Sequence, residues 1–378
     1  MDFTTSYNES LLQIKENNYK LAYEKIKNAK QYITTKNDKQ QYYFLLISIL
    51  KQLNYKDEGS KMSDKIILSN DFDWHVQNEF IRHSSLFCQS ITKNNTLSIK
   101  LDCPTPKNYH ISSASIINND VLTANLRCIN YVYTKEGDYI SRDDDHIVRT
   151  TNYLITLDQD WMIQSMVNIK ECQNLKIYPC HILGMEDVRL FGPCYYFCTR
   201  LDVTENHIPK VCLGHYNVQG ETTKMIILGD VNKTEKNWLP IYKNNTCHVI
   251  YSFHPLTIFN LDVETGEMTE IVKRYTNQNL SSFRGSAVPI RYKEGWLCTI
   301  HQVYYHKKRI YLHRFVWLSD DYMTLKYSKC FYFNKVGVEF NLGIACHQNG
   351  LIITFSVDDA HSTLTIIPYD DINDLLQL

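Results

Sequence analysis

The chain has 378 residues and a mass of 44.5 kDa, with 40 Lys and Arg against 41 Asp and Glu, a net charge of −1, 44% hydrophobic and 12% aromatic residues. That size buries a substantial core in one large domain or two smaller ones. The balanced charge excludes the basic excess that drives sequence-independent nucleic-acid binding, and the hydrophobic content excludes a disordered tail. The 27 Tyr stand out, because tyrosine both favours strands and stacks on sugar rings.

The N-terminus, MDFTTSYNES, is polar and acidic, and the longest compact apolar run, Phe44 to Leu50, is too short to span a bilayer. These features predict a soluble, cytoplasmic protein with no membrane partner. The 12 Cys are scattered, without a CxxC pair or the Cys/His spacing of a zinc site, so free thiols and neither metal nor cofactor are expected. The sequons Asn94-Asn95-Thr96 and Asn244-Asn245-Thr246 have no meaning in a cytosolic chain.

Residues 1 to 70 read as helices. Leu11, Leu12 and Ile14, then Leu21, Ala22 and Ile26, then Phe44, Leu45, Ile47 and Leu50 recur at three-to-four spacing between polar residues. Asn18-Tyr19-Lys20 returns as Asn54-Tyr55-Lys56, a period close to that of helix-turn-helix repeats. The segment therefore resembles a short tetratricopeptide array able to receive a protein partner, or it is a helical hairpin capping the next domain.

From Asp71 the texture changes to short β-rich runs. They include Val121 to Arg127, Tyr153 to Leu157, Cys194 to Thr199, Trp296 to Ile300, Ile310 to Leu318 and Leu351 to Val357. Turn-like stretches such as Lys135-Glu136-Gly137-Asp138 and Glu264-Thr265-Gly266-Glu267 separate them. With no long helical pattern before the last residues, βαβ architecture is excluded, and residues 71 to 378 are too many for one sandwich. The expectation is a mainly β protein, a five-bladed β-propeller preceded by a small α-helical, tetratricopeptide-like domain.

Charged residues inside β-rich runs need a reason. In Gly184-Met185-Glu186-Asp187-Val188-Arg189, strand alternation would place Asp187 and Arg189 on one face and Val188 on the other. Such a pair is either a structural ion pair or an acid held beside an anion site. Glu235, Lys236, Asn237 and Trp238 offer both charge signs, an amide and an indole; they suit a sugar, or form a turn whose Trp238 plugs a core edge. His254, Arg284, His301, the run Arg309 to Phe315, Glu339, Asp358 and Asp359 follow, and Arg127 and Asn130 precede. Among these the Arg and His side chains could jointly hold a phosphate, since guanidinium forks and imidazole donors match its oxygens. Only a chain that closes on itself would bring such spaced segments to one mouth. Tyr131, Tyr251, Tyr304, Tyr305 and Tyr311 sit in or beside these clusters.

With Gly-x-Glu-Asp-x-Arg at 184 to 189, Arg127 to Tyr131 upstream and the Asp pair at 358 and 359, the chain resembles the five-bladed propellers of the β-mannoside phosphorylases, glycoside hydrolase family 130, and the related β-1,2-mannosyltransferases. The Glu235 to Pro240 segment, Arg284-Gly285, His301 and Tyr311 to Phe315 are similar to propeller proteins of bacteria and large DNA viruses that are fused to glycosyltransferase or tetratricopeptide domains. The likeness spans residues 100 to 365 and departs at Val188, where the phosphorylases have Pro.

The resemblance implies that Asp187 is the catalytic acid and Arg189 its neighbouring anion ligand, with Lys236, His254, Arg284 and His301 holding phosphate. Arg127, Asn130, Glu186, Glu235, Asn237, Trp238, Glu339, Asp358 and Asp359 are expected to contact substrate. The expected partners are a sugar donor and a glycan acceptor, not nucleic acid. A glycosyltransferase using a nucleotide sugar or sugar phosphate ranks first, a phosphorylase second and a hydrolase third; a non-catalytic glycan-binding scaffold is the contrasting class.

Overall fold

The computed structural model describes residues 2–92, 98–134, 136–172, 174–230, 232–305 and 309–378. The Asn94-Asn95-Thr96 sequon and Lys135 of one expected turn lie outside the described residues. The protein is mainly β, in a propeller-like arrangement, with a helical N-terminal segment.

That segment contains α1 (Phe3–Lys15), α2 (Tyr19–Ala29), α3 (Lys36–Gln52), α4 (Lys56–Ile67) and α5 (Trp74–Ser84). Local chemistry fixes the starts. Asp2 accepts from the Thr5 N–H at 2.7 Å, Asn18 caps α2, and Thr35 and Asp38 form a capping box on α3. The repeated tripeptide falls at two helix starts but one residue out of register: Asn18 caps α2 and Tyr55 stands at the cap of α4, each after an Asn at positive φ, Asn17 and Asn54. Helix α5 overruns the expected change at Asp71. Its N-cap Asp73 accepts from Val76 N–H at 3.0 Å, and its buried Val76, Phe80 and Ile81 are set in a polar run whose periodicity is weak in sequence.

Among the described residues the strands form five sheets of four or more strands and one two-stranded ribbon. The first sheet runs through His110–Asn119, Val121–Ile129, Val148–Leu157 and Ile163–Asn168; the second through Glu186–Phe191, Tyr195–Arg200, Lys210–Tyr216 and Thr222–Leu228. The third contains Leu239–Lys243, Thr246–Phe253, Leu256–Leu261 and Met268–Arg274. The fourth is built on Arg284–Gly285, Ile290–Tyr292, Gly295–Tyr304 and Ile310–Ser319. The fifth contains Glu339–His347, Gly350–Val357 and His361–Ile367, and its edge is completed by Ser98–Lys100. The beginning and end of the β region are thus hydrogen-bonded in one sheet. The ribbon, Tyr131–Tyr133 with Tyr139–Ser141, is an excursion between two strands of the first sheet.

Each sheet leads with a strand running the same way. Glu186, Asn237, Arg284 and Phe340, at or near the starts of four of these strands, line one cavity. Phe191, Tyr242, Ile290 and Ala345, at or near their far ends, line a second cavity with Asn119 of the first sheet. The helices are not loosely attached. Ile26, Leu46, Ile66 and Phe80 belong to the same buried cluster as Leu239, Ile258, Ile300 and Leu312 of the third and fourth sheets. No helix among the described residues is long and apolar enough to cross a membrane.

Candidate functional site

The sequence Gly184 to Arg189 folds in a way that alternation alone does not anticipate. Gly184 has φ +97, and a Cβ there would lie 2.6 Å from the Thr150 carbonyl oxygen, so only glycine lets the second sheet approach the first this closely. The register then shifts between Glu186 and Arg189, and Asp187 adopts φ 50. This bulge turns Asp187 away from the Arg189 side chain. Arg189 is buried and donates to the Ser286 carbonyl at 2.9 Å, the Asp187 carbonyl at 3.1 Å and Asn237 Oδ1 at 3.1 Å. It holds two backbone carbonyls and the Asn237 side chain together instead of presenting a fork to a ligand.

Arg127 takes the place foreseen for Arg189. Its Nη2 donates to Glu186 Oε1 at 3.1 Å and its Nη1 to Asp187 Oδ1 at 3.4 Å. Burial alone would lower its pKa, but Tyr131, Glu186, Asp187 and Asp359 together outweigh that and raise it. The same cavity, of about 580 Å³, collects Glu186, Asp187, Lys236, Asn237, Arg284, His301 and Asp359.

These residues divide the charge unevenly. Arg127, Lys236, Arg284 and Arg309 face three carboxylates, Glu186, Asp187 and Asp359. Arg127 is committed to Glu186 and Asp187, while Lys236 and Arg284 make no hydrogen bond or ion pair to any described residue. His301 Nδ1 pairs with Ser286 Oγ at 2.8 Å; burial, then His313, Arg189 and Arg284, holds its pKa well below the ordinary value, so the ring is neutral. Of the imidazole roles expected from sequence, a neutral hydrogen-bonding one remains open to it. Asp359 lines the cavity and is half-buried. Enclosure by protein pushes its pKa up to about 6, with Arg127 and Arg309 opposing and Asp187 and Glu186 adding to the rise.

Backbone strain clusters here too: Asp187, Asn237, Asp358 and Asp359 all have φ between 50 and 63. At Gly285, a Cβ would meet the Asn237 carbonyl at 2.3 Å, which holds the third and fourth sheets together beside Arg284.

Other expected site residues lie elsewhere. Asn130 is buried and braces the first sheet's loop, accepting from Arg149 N–H at 2.7 Å and donating to Asp143 at 2.7 Å and to the Ile147 carbonyl at 2.8 Å. Trp238 is 2% exposed and belongs to a buried cluster, with the partly exposed Tyr251 ring against it, so its indole plugs a core edge. Glu235 is buried, accepts from Tyr251 Oη at 3.3 Å, and has its pKa raised by burial. His254 lies in the turn after Thr246–Phe253, outside the cavity, paired with Thr276 and packed on Tyr275. Glu339 is buried and accepts from the N–H groups of Phe333, Asn334 and Lys335; burial pushes it up to about 7 against those donors. Asp358 pairs with Lys335. None of these six lines the cavity: Asn130 and Glu339 are taken up by backbone and side-chain partners, Trp238 by the core, and Glu235, His254 and Asp358 by neighbouring side chains.

The cavity also contains residues that strand patterning did not single out, above all Tyr139, together with Val148, Ile182, Pro209, Thr234, Val303 and Phe340. Tyr131, Arg309 and Tyr311, within the runs read from sequence, and Tyr305, noted beside them, complete it.

No family model matches the chain, and no curated protein matches it. Solved structures do match. A β-1,2-mannobiose phosphorylase from Listeria innocua, in complex with β-1,2-mannobiose, is 15% identical with a TM-score of 0.46, covering 73% of this chain and 95% of that one. A mannose phosphorylase from Leishmania mexicana, in complex with a phosphate ion, is 11% identical with a TM-score of 0.48, covering 72% and 88%. A glycosyl hydrolase from Bacteroides ovatus is 11% identical with a TM-score of 0.48, covering 68% and 84%. At such identities and scores, likeness says nothing about the role of a residue.

Proposed function

We propose that this cavity binds a glycoside together with inorganic phosphate and catalyses phosphorolysis. The observation that carries the reading is the coexistence, in one cavity, of the Arg127-paired carboxylates Glu186 and Asp187 with two uncommitted cations, Lys236 and Arg284. Two free cations and a neutral His301 suit one compact anion, which is why phosphorolysis moves ahead of transfer from a nucleotide sugar. A phosphate oxygen attacks the anomeric carbon while the glycosidic C–O bond breaks. Asp187 relays the proton of the hydrogen phosphate to the leaving oxygen, so the products are a sugar 1-phosphate and a neutral alcohol.

Hydrolysis is a second reading with its own support: Asp359, with its pKa near 6, is a second carboxyl in the same cavity and is suited to activating water. In this account the five sheets are five blades of a propeller closed by Ser98–Lys100. The helices up to Ser84 form a tetratricopeptide-like module that receives a protein partner.

The test is incubation with a panel of β-mannosides, with and without inorganic phosphate. Sugar 1-phosphate appearing only with phosphate, and lost by at least about a hundredfold in Asp187→Asn while glycoside binding persists, supports phosphorolysis. Free sugar released without phosphate supports hydrolysis. Binding without any turnover returns the protein to the class of glycan-binding scaffolds.

A further inference from the structure

The 12 cysteines are free thiols, and six of them meet in pairs: Cys103 with Cys128, Cys198 with Cys212, and Cys88 with Cys330. The first two pairs are buried in apolar clusters within the β region. The third lies where the helical segment meets the fourth sheet, and it differs in backbone placement, access and surroundings.

Placement comes from a short ladder. The pair of residues Gln89–Ser90, which follows α5, runs parallel to Phe331–Tyr332 at the edge of the fourth sheet, with Gln89 opposite Phe331 and Ser90 opposite Tyr332. The contact continues where the Ile91 N–H donates to the Tyr332 carbonyl at 3.0 Å. Cys88 and Cys330 each stand one residue before this ladder, so the same register sets them opposite each other. Neighbouring strands lie about 4.8 Å apart, and the Cα atoms joined by a disulfide lie about 4.4–6.8 Å apart, so the two sulfurs can be linked without moving the backbone.

Access comes from a cavity of about 400 Å³ that shares no residue with the candidate active site. Cys330 lines it, together with Lys56 and Asp57 of α4, Phe87, Lys329 and Leu375. Cys88 is half-buried beside it. The surroundings suit thiol exchange. Gln302 Nε2 donates to Cys330 Sγ at 3.7 Å, and a donor aimed at sulfur favours the thiolate. The contact with Cys330, then burial, raises the Cys88 thiol, with the buried Arg314 guanidinium opposing and Asp64 adding to the rise. Cys88 therefore rests protonated, and Cys330, which faces the cavity, is placed to react first.

We propose that Cys88 and Cys330 form a reversible disulfide site whose oxidant is a low-molecular-weight disulfide, and that the bond locks the helical segment onto the fourth sheet. The Cys330 thiolate attacks one sulfur of the small disulfide; that S–S bond breaks, and the first small thiolate leaves and takes up the proton that Cys330 gave up. Cys88 then gives its proton to solvent and attacks Cys330 Sγ, displacing the second small thiolate, which is protonated in turn. Two protein thiols and one small disulfide thus become one protein disulfide and two small thiols. The bond spans the junction already held by Arg314 and Asp64, so it fixes in covalent form a contact that is otherwise packing and one ion pair. The inference is independent of the reaction assigned to the other cavity.

The experiment incubates the folded, full-length protein with oxidised glutathione, blocks the remaining thiols, and maps peptides by mass spectrometry without reductant. Wild type is expected to lose two titratable thiols, to yield the linked 88–330 peptide, and to unfold about 5 °C higher than before oxidation, a rise that dithiothreitol reverses. Cys88→Ser is expected to stop at one glutathione on Cys330, and both Cys88→Ser and Cys330→Ser should lose the rise in unfolding temperature. Cys346, the exposed thiol, reports that the oxidant is active. Modified Cys346 without an 88–330 peptide overturns the proposal, as does a linked 103–128 or 198–212 peptide in its place. The 88–330 peptide with an unchanged unfolding temperature overturns the lock. Should either serine variant fail to fold, the wild-type peptide map and its unfolding temperature decide by the same criteria.

Discussion

Arg127 Nη1 reaches Asp187 Oδ1 at 3.4 Å, so an ion pair between neighbouring sheets stands where the sequence suggested one within a single strand. The guanidinium is buried and also holds Glu186, so its removal would leave two carboxylates facing each other with little solvent. Arg127→Met is therefore expected to lower unfolding stability by about 3 kcal/mol in a urea titration, as breaking a buried charge pair from one side does. Arg127→Lys keeps the charge but cannot fork to both carboxylates, and should recover only part of the loss. A loss below about 0.5 kcal/mol for Arg127→Met would mean that water reaches the carboxylates freely.

Lys236 and Arg284 make the opposite case. Neither side chain bonds to a described residue, so Lys236→Ala and Arg284→Ala should leave the unfolding midpoint nearly unchanged. If they hold phosphate, each substitution raises the KM for phosphate about 10- to 100-fold, the value of one charge-assisted hydrogen bond, with a small effect on the KM for the glycoside. Steady-state kinetics at varied phosphate separates the two constants. Equal rises in both would place these cations on the sugar instead.

Much of this arrangement was legible in the sequence because the signals were local. The switch from three-to-four spacing to short β-rich runs located the helical segment, and six expected runs fall on observed strands, with only Cys194 outside its strand. Charged residues in strands pointed to Arg127, Glu186, Asp187 and Arg284, since a strand offers few ways to satisfy a charge. What escaped depended on backbone irregularity and long-range contact. The bulge at Asp187 reversed the roles of Arg127 and Arg189, and no composition rule announces a register shift. Trp238 looked like a sugar platform from its neighbours but fills the core. Tyr139 sits in a short ribbon outside the five sheets, and its contact with Arg309 spans 170 residues of chain. Helix α5 was hidden by its polar length.

Asp359 makes the protein sensitive to pH in a defined window. Its ordinary value of 3.8 is raised to about 6 by burial in the folded state. Between those values the folded chain keeps a proton that the unfolded chain gives up, so stability falls as pH rises through the window and stays reduced above it. The full shift corresponds to roughly 3 kcal/mol, and solvent in the cavity reduces this to about 1–2 kcal/mol. Asp359→Asn should therefore gain about 1–2 kcal/mol at pH 7.5 and flatten the curve between pH 4 and 6. Urea titrations across that range check it; a variant less stable than wild type at pH 7.5 would show that the ionised carboxylate is the stabilising form.

A charge pair whose two sides are unequal ties the helical segment to the fourth sheet. Arg314 is fully buried, while the Asp64 side chain is 22% exposed; they meet at 2.5 Å, and Arg314 also donates to the Ser328 carbonyl at 2.8 Å and packs on Phe283 and Tyr327. Removing the carboxylate leaves a guanidinium in the core with one carbonyl partner and an Nε that already has none. Removing the guanidinium leaves a carboxylate that water can reach. Asp64→Ala should therefore cost about 3 kcal/mol and Arg314→Met less, with the double variant close to Arg314→Met because the uncompensated charge is gone. A double-mutant cycle by urea unfolding measures this. The reverse order, with Arg314→Met the more damaging change, would show that the packing of Arg314 between Phe283 and Tyr327 holds the helices, and not its charge.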